Sequence, residues 1–412
     1  MNLLVADYFR SLKSRNYRLW AAGALVSNIG TWMQRVAQDW LVLTQLTQHS
    51  ASAVGIVMAL QFGPQLLFLP WTGFAADHFD QRKLLMATQA SMGLLALALG
   101  LLTVTGAVQL WQVYLFAFLS GTAAAFDAPV RQIFVAALVG DRDLPNAVAI
   151  NSSSFNGARM IGPAVAGLSI AAIGTGWAFI ANGLSFAAVL GSLWLLRVDE
   201  LHPVARAARH KGSFLEGFRY VWGRPDLRTI LVMLFLIGTF GLNFPIFIST
   251  MAVKVFHSDA RGFGLLSSMM AVGTLSGALI AVGRKRFDFR PLVAGAGLFG
   301  IGCALAAIAP GYWFFAAALV ITGSAALTFT NATNTVMQLS TEPAMRGRVM
   351  AIRLGIALGC TPLGSPIVGW VADHYGPRWA LGIAAASGFA AAGVAILYLL
   401  RRLERVAGIE PA

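Results

Sequence analysis

Residues 17–44 read YRLWAAGALVSNIGTWMQRVAQDWLVLT. A helix of about 20 apolar residues crosses the hydrocarbon core of a bilayer, whereas a membrane strand needs only about 10 with strict alternation. This stretch is long and does not alternate, so it reads as a membrane helix. Arg35 and Asp39 stand one helical turn apart within it, and Asn28 and Trp32 fall on the same face. An ionisable side chain at the centre of a membrane helix costs roughly 2.5 to 3.5 kcal/mol on insertion scales, so such residues face a bundle interior or a wet cavity. Two readings follow: an internal ion pair that only anchors the bundle, or a polar cavity wall with a titratable carboxylate.

The remainder of the chain has the same character. Of 412 residues, 57% are apolar and 11% charged, and the mean hydropathy is +0.70, whereas a soluble chain is about 25% charged. Apolar stretches near 17–44, 51–76, 84–106, 110–133, 146–174 and 176–197 are predicted as spans 1 to 6. Those near 228–253, 262–283, 291–309, 313–338, 348–372 and 378–400 are predicted as spans 7 to 12. The predicted fold is an all-α membrane protein of twelve transmembrane helices in two pseudo-symmetric six-helix bundles.

The net charge of +13 does not point to nucleic acid, because of where the cations lie. With the N-terminus inside, Lys254, Arg261 and Arg378 fall outside and Arg35 and Arg159 fall within the membrane. Every other Lys and Arg lies on inner segments or helix ends, the positive-inside pattern. Basic clusters such as Arg284, Lys285 and Arg286 then fix topology and meet anionic lipids. The segment before Tyr17 has no apolar core with a small-residue cleavage site, so span 1 is expected to act as its own insertion signal. Cys303 and Cys360 both lie in predicted helices and indicate neither a disulfide framework nor a metal site.

Residues 198–227 form the longest polar connector and divide an N-terminal bundle, 1–197, from a C-terminal bundle, 228–412. An internal repeat supports the division: Gly167, Gly174 and Trp177 recur as Gly369, Gly376 and Trp379, and Arg15 and Arg18 as Arg224 and Arg228. Two such halves suit a transporter that binds its substrate between them and rocks to alternate access. Apolar positions interleaved with Glu216 and Arg219 predict a short amphipathic helix on the inner surface.

After span 2 come Gly73, Phe74, Ala75, Ala76, Asp77, His78, Phe79, Asp80, Gln81, Arg82 and Lys83. Gly73 allows close helix packing, and Asp77 is suited to cap a neighbouring helix N-terminus, where backbone N–H groups and the macrodipole favour an anion. The segment resembles the loop between helices two and three of the major facilitator superfamily, with Gly73, Asp77, Arg82 and Lys83 matching. It departs at His78, Asp80 and Gln81, where that family has arginine, glycine and a basic residue. The resemblance implies that Asp77 meets helix eleven and that the loop arginine, here Arg82, meets an acid on helix four. Asp127 stands there, with Arg131 as a second partner one turn on. Gly73, Asp77, Arg82, Lys83, Asp127 and Arg131 are thus expected to form a conformational latch; the bland alternative is a static topology signal.

Span 5 contains Gly162, Pro163 and Gly167; its small residues allow tight helix contact, and its proline removes a backbone donor. It resembles the antiporter motif of exporters in the superfamily, with Ala166 in place of one glycine. Arg159, just before it, is either carbonyl-bonded or a partner for Asp39 or for substrate. On span 10, Ser324, Thr328, Asn331 and Thr335 repeat the spacing of Asn28, Trp32, Arg35 and Asp39, and span 7 adds Thr239 and Asn243. The resemblance lines the central cavity with helices one, four, seven and ten, so these residues, with Gln38, are expected to line it; otherwise they bond across helices.

Trp32–Met33–Gln34–Arg35, Gln38–Asp39–Trp40–Leu41, Asp127–Ala128–Pro129 and Gly369–Trp370–Val371–Ala372–Asp373 resemble the exporter branch that includes enterobactin exporters and macrolide efflux proteins. That implies a secondary active exporter of an amphipathic small molecule, drug-like or siderophore-like, in exchange for protons, with Asp39 and Asp127 as candidate proton carriers. Arg35 beside Asp39 argues for a substrate clamp that opens and closes, as against a simple proton carrier. The expected setting is a monomer in the cell inner membrane with both termini cytoplasmic, meeting lipids, protons and a small-molecule substrate. No cofactor is implied. With no phosphate-cradling loop, ATP is not the direct energy source, and with no nucleophile–base or metal constellation an enzyme is not expected. Lysolipid flipping, uncoupled facilitation, or a scaffold or sensor that has lost transport are the competing readings.

Overall fold

The computed structural model describes residues 10–202, 214–281 and 290–406. Among them there is no strand, and helix stands at every predicted span. Span 1 is Arg15–Leu41, followed by a π-helical turn, Val42–Leu46. Span 2 is Ala51–Leu67 continued by Leu69–His78, span 3 Gln81–Val104, and span 6 Thr175–Trp194. Spans 8 to 12 are Ala260–Ala281, Arg290–Ala307, Tyr312–Ser340, Pro343–His374 and Pro377–Val406. Eight helices among the described residues are long and apolar enough to cross a membrane. Arg284, Lys285 and Arg286 lie outside the described residues, as do residues 203–213 of the charged connector.

Spans 4 and 5 are not separated by a loop at 134–145. One helix runs Leu110–Ile173 and is interrupted only at Gly140, whose φ of 70° sets a kink that side chains rarely allow. The connecting polar residues are therefore helical, and Pro145 lies inside the helix just beyond the kink.

Helix ends follow the local chemistry. Ser14 accepts from the Tyr17 N–H and caps span 1, and Asp80 accepts from the Lys83 N–H at 2.8 Å and caps span 3. The second of these explains the departure from glycine in the loop: Asp80 is an N-cap. Gly174 and Gly376, paired in the internal repeat, both take positive φ, 84° and 99°.

Span 7 is a broken helix. It runs Pro225–Leu236, passes through a π turn at Ile237–Gly241, restarts as Phe244–Thr250 and ends in a second π turn, Met251–Val255. Pro245 near the restart has no N–H to give, which is consistent with the break. The amphipathic helix after the connector is Phe214–Trp222, with Phe218 and Trp222 exposed and stacked at 5.4 Å.

Contacts divide the chain into two compact units. The first draws on Met1–Gln48, Leu60–Arg209 and Asp259–Leu265, and the second on His49–Ala59, His210–Ser258 and Leu266–Ala412. Lipid tails are as apolar as leucine, so helices here associate through close backbone approach more than through hydrophobic transfer. In the first unit Gly23 meets the carbonyl of Ala188, and in the second Gly277 meets that of Ser324. A cluster around Tyr17, Trp20, Leu85 and Phe134 closes one end of the first unit, where the Tyr17 hydroxyl donates to the Ala147 carbonyl at 2.8 Å.

Candidate functional site

Within the first unit, span 1 carries the chemistry. Arg35 does not reach Asp39: the two form no ion pair, and the Arg35 guanidinium lies 4.7 Å from the Trp32 ring centroid and 5.1 Å from that of Phe62. Arg159 also approaches Trp32, at 5.8 Å, and Phe155 meets its edge. Trp32 is therefore flanked by two cations, each contact worth about 0.5 to 2 kcal/mol depending on desolvation. Arg159 forms neither an ion pair with Asp39 nor a hydrogen bond to a carbonyl; its contact is with Trp32. Asp39 is 4% exposed, and its Oδ1 is buried with no hydrogen-bond partner.

Of the two readings of span 1, the anchoring ion pair is thus absent: the Arg35 guanidinium lies against two aromatic rings instead. Beside it opens a pocket lined by Gln34, Arg35, Gln38, Gln61, Ser120 and Asn182. Gln61 donates to Gln38 at 3.2 Å, and Asn182 donates to Gln34. Gln34, Gln61 and Asn182 were not singled out from the sequence; an amide inside an apolar span is the signal that marks them.

Asp127 sits in a different environment. Its Oδ1 accepts from Thr88 at 2.9 Å and Gln89 at 2.6 Å, and its Oδ2 accepts from the Arg131 Nε at 3.0 Å and pairs with Arg131 Nη2 at 2.9 Å. Arg131 also donates to Asn28 at 3.1 Å, so Asn28 of span 1 joins this network rather than the Trp32 group. Four donors saturate the Asp127 carboxylate.

The loop after span 2 differs from expectation in two respects. Arg82 does not meet Asp127: it donates to the carbonyls of Leu193 at 2.8 Å and Trp194 at 3.2 Å, capping the end of span 6. Gly73 serves no close packing, since a methyl group there would meet nothing within 4 Å. The Asp77 side chain lies outside the described residues, and Lys83 contributes its backbone N–H to the Asp80 cap.

The small residues of span 5 do pack closely. A methyl at Gly162 would stand 2.5 Å from Trp32 Cβ, and one at Gly167 would stand 2.8 Å from Gly264 Cα. A methyl at Gly264 would in turn lie 3.1 Å from the Pro163 carbonyl. Gly162 thus lets span 5 close on the residue that both arginines approach.

In the second unit Thr239 and Asn243 flank the break in span 7. Asn243 donates to the Thr239 carbonyl at 2.7 Å, and its own Oδ1 is buried without a partner. Ser324, Thr328, Asn331 and Thr335 form a half-buried stripe along span 10. Arg353, assigned from sequence to a helix end, is instead 8% exposed and donates to the Thr330 carbonyl at 3.0 Å and Thr333 Oγ1 at 3.1 Å. It is a further buried cation within the spans. Among the described residues no cluster of three or more His, Cys, Asp and Glu offers a metal site.

Comparison with known proteins agrees with this architecture. The family model described as transmembrane secretion effector matches residues 8–410. The staphyloferrin A transporter of Staphylococcus aureus is 29% identical over 61% of this chain and 63% of its own length, a little under two thirds of that protein. The multidrug efflux pump Tap of Mycolicibacterium fortuitum is 27% identical over 86% of this chain and 88% of its own. The enterobactin exporter EntS of Shigella flexneri is 25% identical over 88% and 86%. Among solved structures, a bacterial homologue of the human lysosomal transporter Spinster superposes with a TM-score of 0.76 at 16% identity, covering 93% of this chain and 96% of that one. The nucleoside transporter NupG gives 0.74 at 13% identity, covering 93% and 99%. The chain belongs to the transmembrane secretion effector family of the major facilitator superfamily and is a multi-pass membrane transporter.

Proposed function

We propose that this transporter exports an amphipathic, drug-like or siderophore-like small molecule across the inner membrane in exchange for protons, by alternating access, with both termini in the cytoplasm. The observation that carries the reading is the group on span 1: two guanidiniums flank the Trp32 ring, and one turn beyond lies a buried carboxylate oxygen without a donor. The aromatic–cation group offers a substrate flat apolar surface and positive charge together. The partnerless Asp39 Oδ1 has a free lone pair for a proton.

Asp127 is the weaker proton carrier, because Thr88, Gln89 and Arg131 already occupy its lone pairs. Its part is structural, tying spans 1, 3 and 4 together. Substrate contacts from the second half are assigned to Thr239, Asn243 and the Ser324–Thr335 stripe, whose hydroxyls and amides are unsatisfied or partly open. The names of the relatives support the cargo class: one is an efflux pump for several drugs and two carry siderophores.

Inverted membrane vesicles containing the protein test the reading. Energisation should drive uptake of a fluorescent dye or a candidate siderophore, and a proton uncoupler should stop it. Transport that survives the uncoupler would leave a facilitator without proton coupling; no transport together with capture of a partner protein would favour a scaffold.

A further inference from the structure

The end of span 2 has a twin at the end of span 11. Gly73-x-x-Ala76-Asp77-His78-Phe79-x-x-Arg82 matches Gly369-x-x-Ala372-Asp373-His374-Tyr375-x-x-Arg378. The likeness extends to three dimensions. His78 Nδ1 lies 2.9 Å from the Phe74 carbonyl and its ring stacks on Phe74; His374 Nδ1 lies 2.9 Å from the Trp370 carbonyl and its ring leans on Trp370. Arg82 donates to the last carbonyls of span 6, and Arg378 donates to the carbonyls of Ala307 and Ala309 at the end of span 9, both at 2.9 Å. In the predicted alternation of twelve spans, an even-numbered span 2 ends at the membrane face nearest the N-terminus and an odd-numbered span 11 at the opposite one.

The second copy shows its aspartate engaged. Asp373 Oδ1 accepts from the Ala51 N–H at 2.7 Å and from Lys254 Nζ at 2.9 Å. Asp373 Oδ2 accepts from the Ser52 N–H at 2.8 Å and from Ser50 Oγ at 3.0 Å. The carboxylate thus caps the start of span 2, while Gly55 and Gly369 bring the backbones of spans 2 and 11 together. These first turns group with the second unit, whereas Leu60 onward groups with the first. Asp373 and Lys254 retain about a fifth to a quarter of their side-chain exposure, 20% and 24%, so water can replace each bond as it opens.

We propose that Asp373, with Lys254, is a releasable clasp on the start of span 2, closing the transporter at the face away from the N-terminus. The proposal rests on the alternating-access reading, but its test measures conformation and leaves transport and proton coupling aside. Spin labels at Gln48→Cys and Tyr375→Cys, both exposed sites, report the opening by electron–electron double resonance in the full chain in nanodiscs; the two native cysteines are buried. Loss of a charged cap shifts a two-state balance by about fivefold. Asp373→Asn should lower the short-distance population relative to the long by that factor. If Asp373→Asn does not fold, Lys254→Gln leaves the caps in place and should shift the balance the same way by a smaller factor. An unchanged distribution in a folded Asp373→Asn or Lys254→Gln protein, with only thermal stability lowered, would make the contact a static cap and overturn the proposal.

Discussion

Arg35 places its guanidinium 4.7 Å from the Trp32 ring and leaves Asp39, one turn further along the same helix, without an ion pair. A buried carboxylate oxygen with no donor is costly to keep ionised, and natural proteins retain such groups at functional sites. The cationic and acidic parts of span 1 are therefore distinct: one faces aromatic rings, the other has a vacant acceptor.

The first prediction concerns Trp32. Replacing it with Ala removes the surface shared by Arg35 and Arg159, two contacts of about 0.5 to 2 kcal/mol each. Substrate affinity should fall about tenfold or more, and because the Arg159 contact also ties span 5 to span 1, thermal stability should fall as well. Ligand titration of the purified variant measures the affinity, and its melting temperature the stability. Undiminished affinity would move the substrate away from span 1.

Asp127→Asn should act on stability. It leaves Arg131 part-buried without its counter-charge, a loss of the order of 3 kcal/mol, read as a fall in melting temperature in detergent. Removing Arg131 as well, as Asp127→Asn with Arg131→Met, should recover part of the loss. A single variant that melts normally yet no longer responds to the proton gradient would instead make Asp127 the carrier.

Crowding on span 5 gives a third test. Gly162→Ala puts a methyl 2.5 Å from Trp32 Cβ and should destabilise by about 1 to 3 kcal/mol, with slower turnover. Gly157→Ala, on the same helix with nothing within 4 Å, should be neutral or slightly stabilising. Equal effects of the two would show that the fit of Gly162 on Trp32 is unimportant.

Much of the architecture was legible from hydropathy, because a span must be about 20 apolar residues wherever it occurs. The continuous helix through 134–145 was not, since charged residues followed by Pro145 look like a loop until one sees that Gly140 alone takes the bend. Arg353 was misplaced for a similar reason: Arg346 and Arg348 precede it, so it reads as part of a basic helix end, and only packing against Thr330 and Thr333 shows it buried. For the candidate site, charged residues announced themselves, but their partners did not. An i, i+4 spacing allows an Arg35–Asp39 pair, while the competing rings of Trp32 and Phe62 converge only in the fold. The two ends of spans 2 and 11 were both in view as text, yet their equivalence emerged from matching histidine, arginine and carbonyl contacts.

The central claim, export driven by a proton that Asp39 carries, is tested most directly by measuring substrate uptake into energised inverted vesicles for the unaltered protein and for Asp39→Asn at matched membrane levels. The account predicts uncoupler-sensitive accumulation in the first and its loss, tenfold or more, in the second, with gradient-independent exchange of substrate retained. Full gradient-driven accumulation by Asp39→Asn would contradict it.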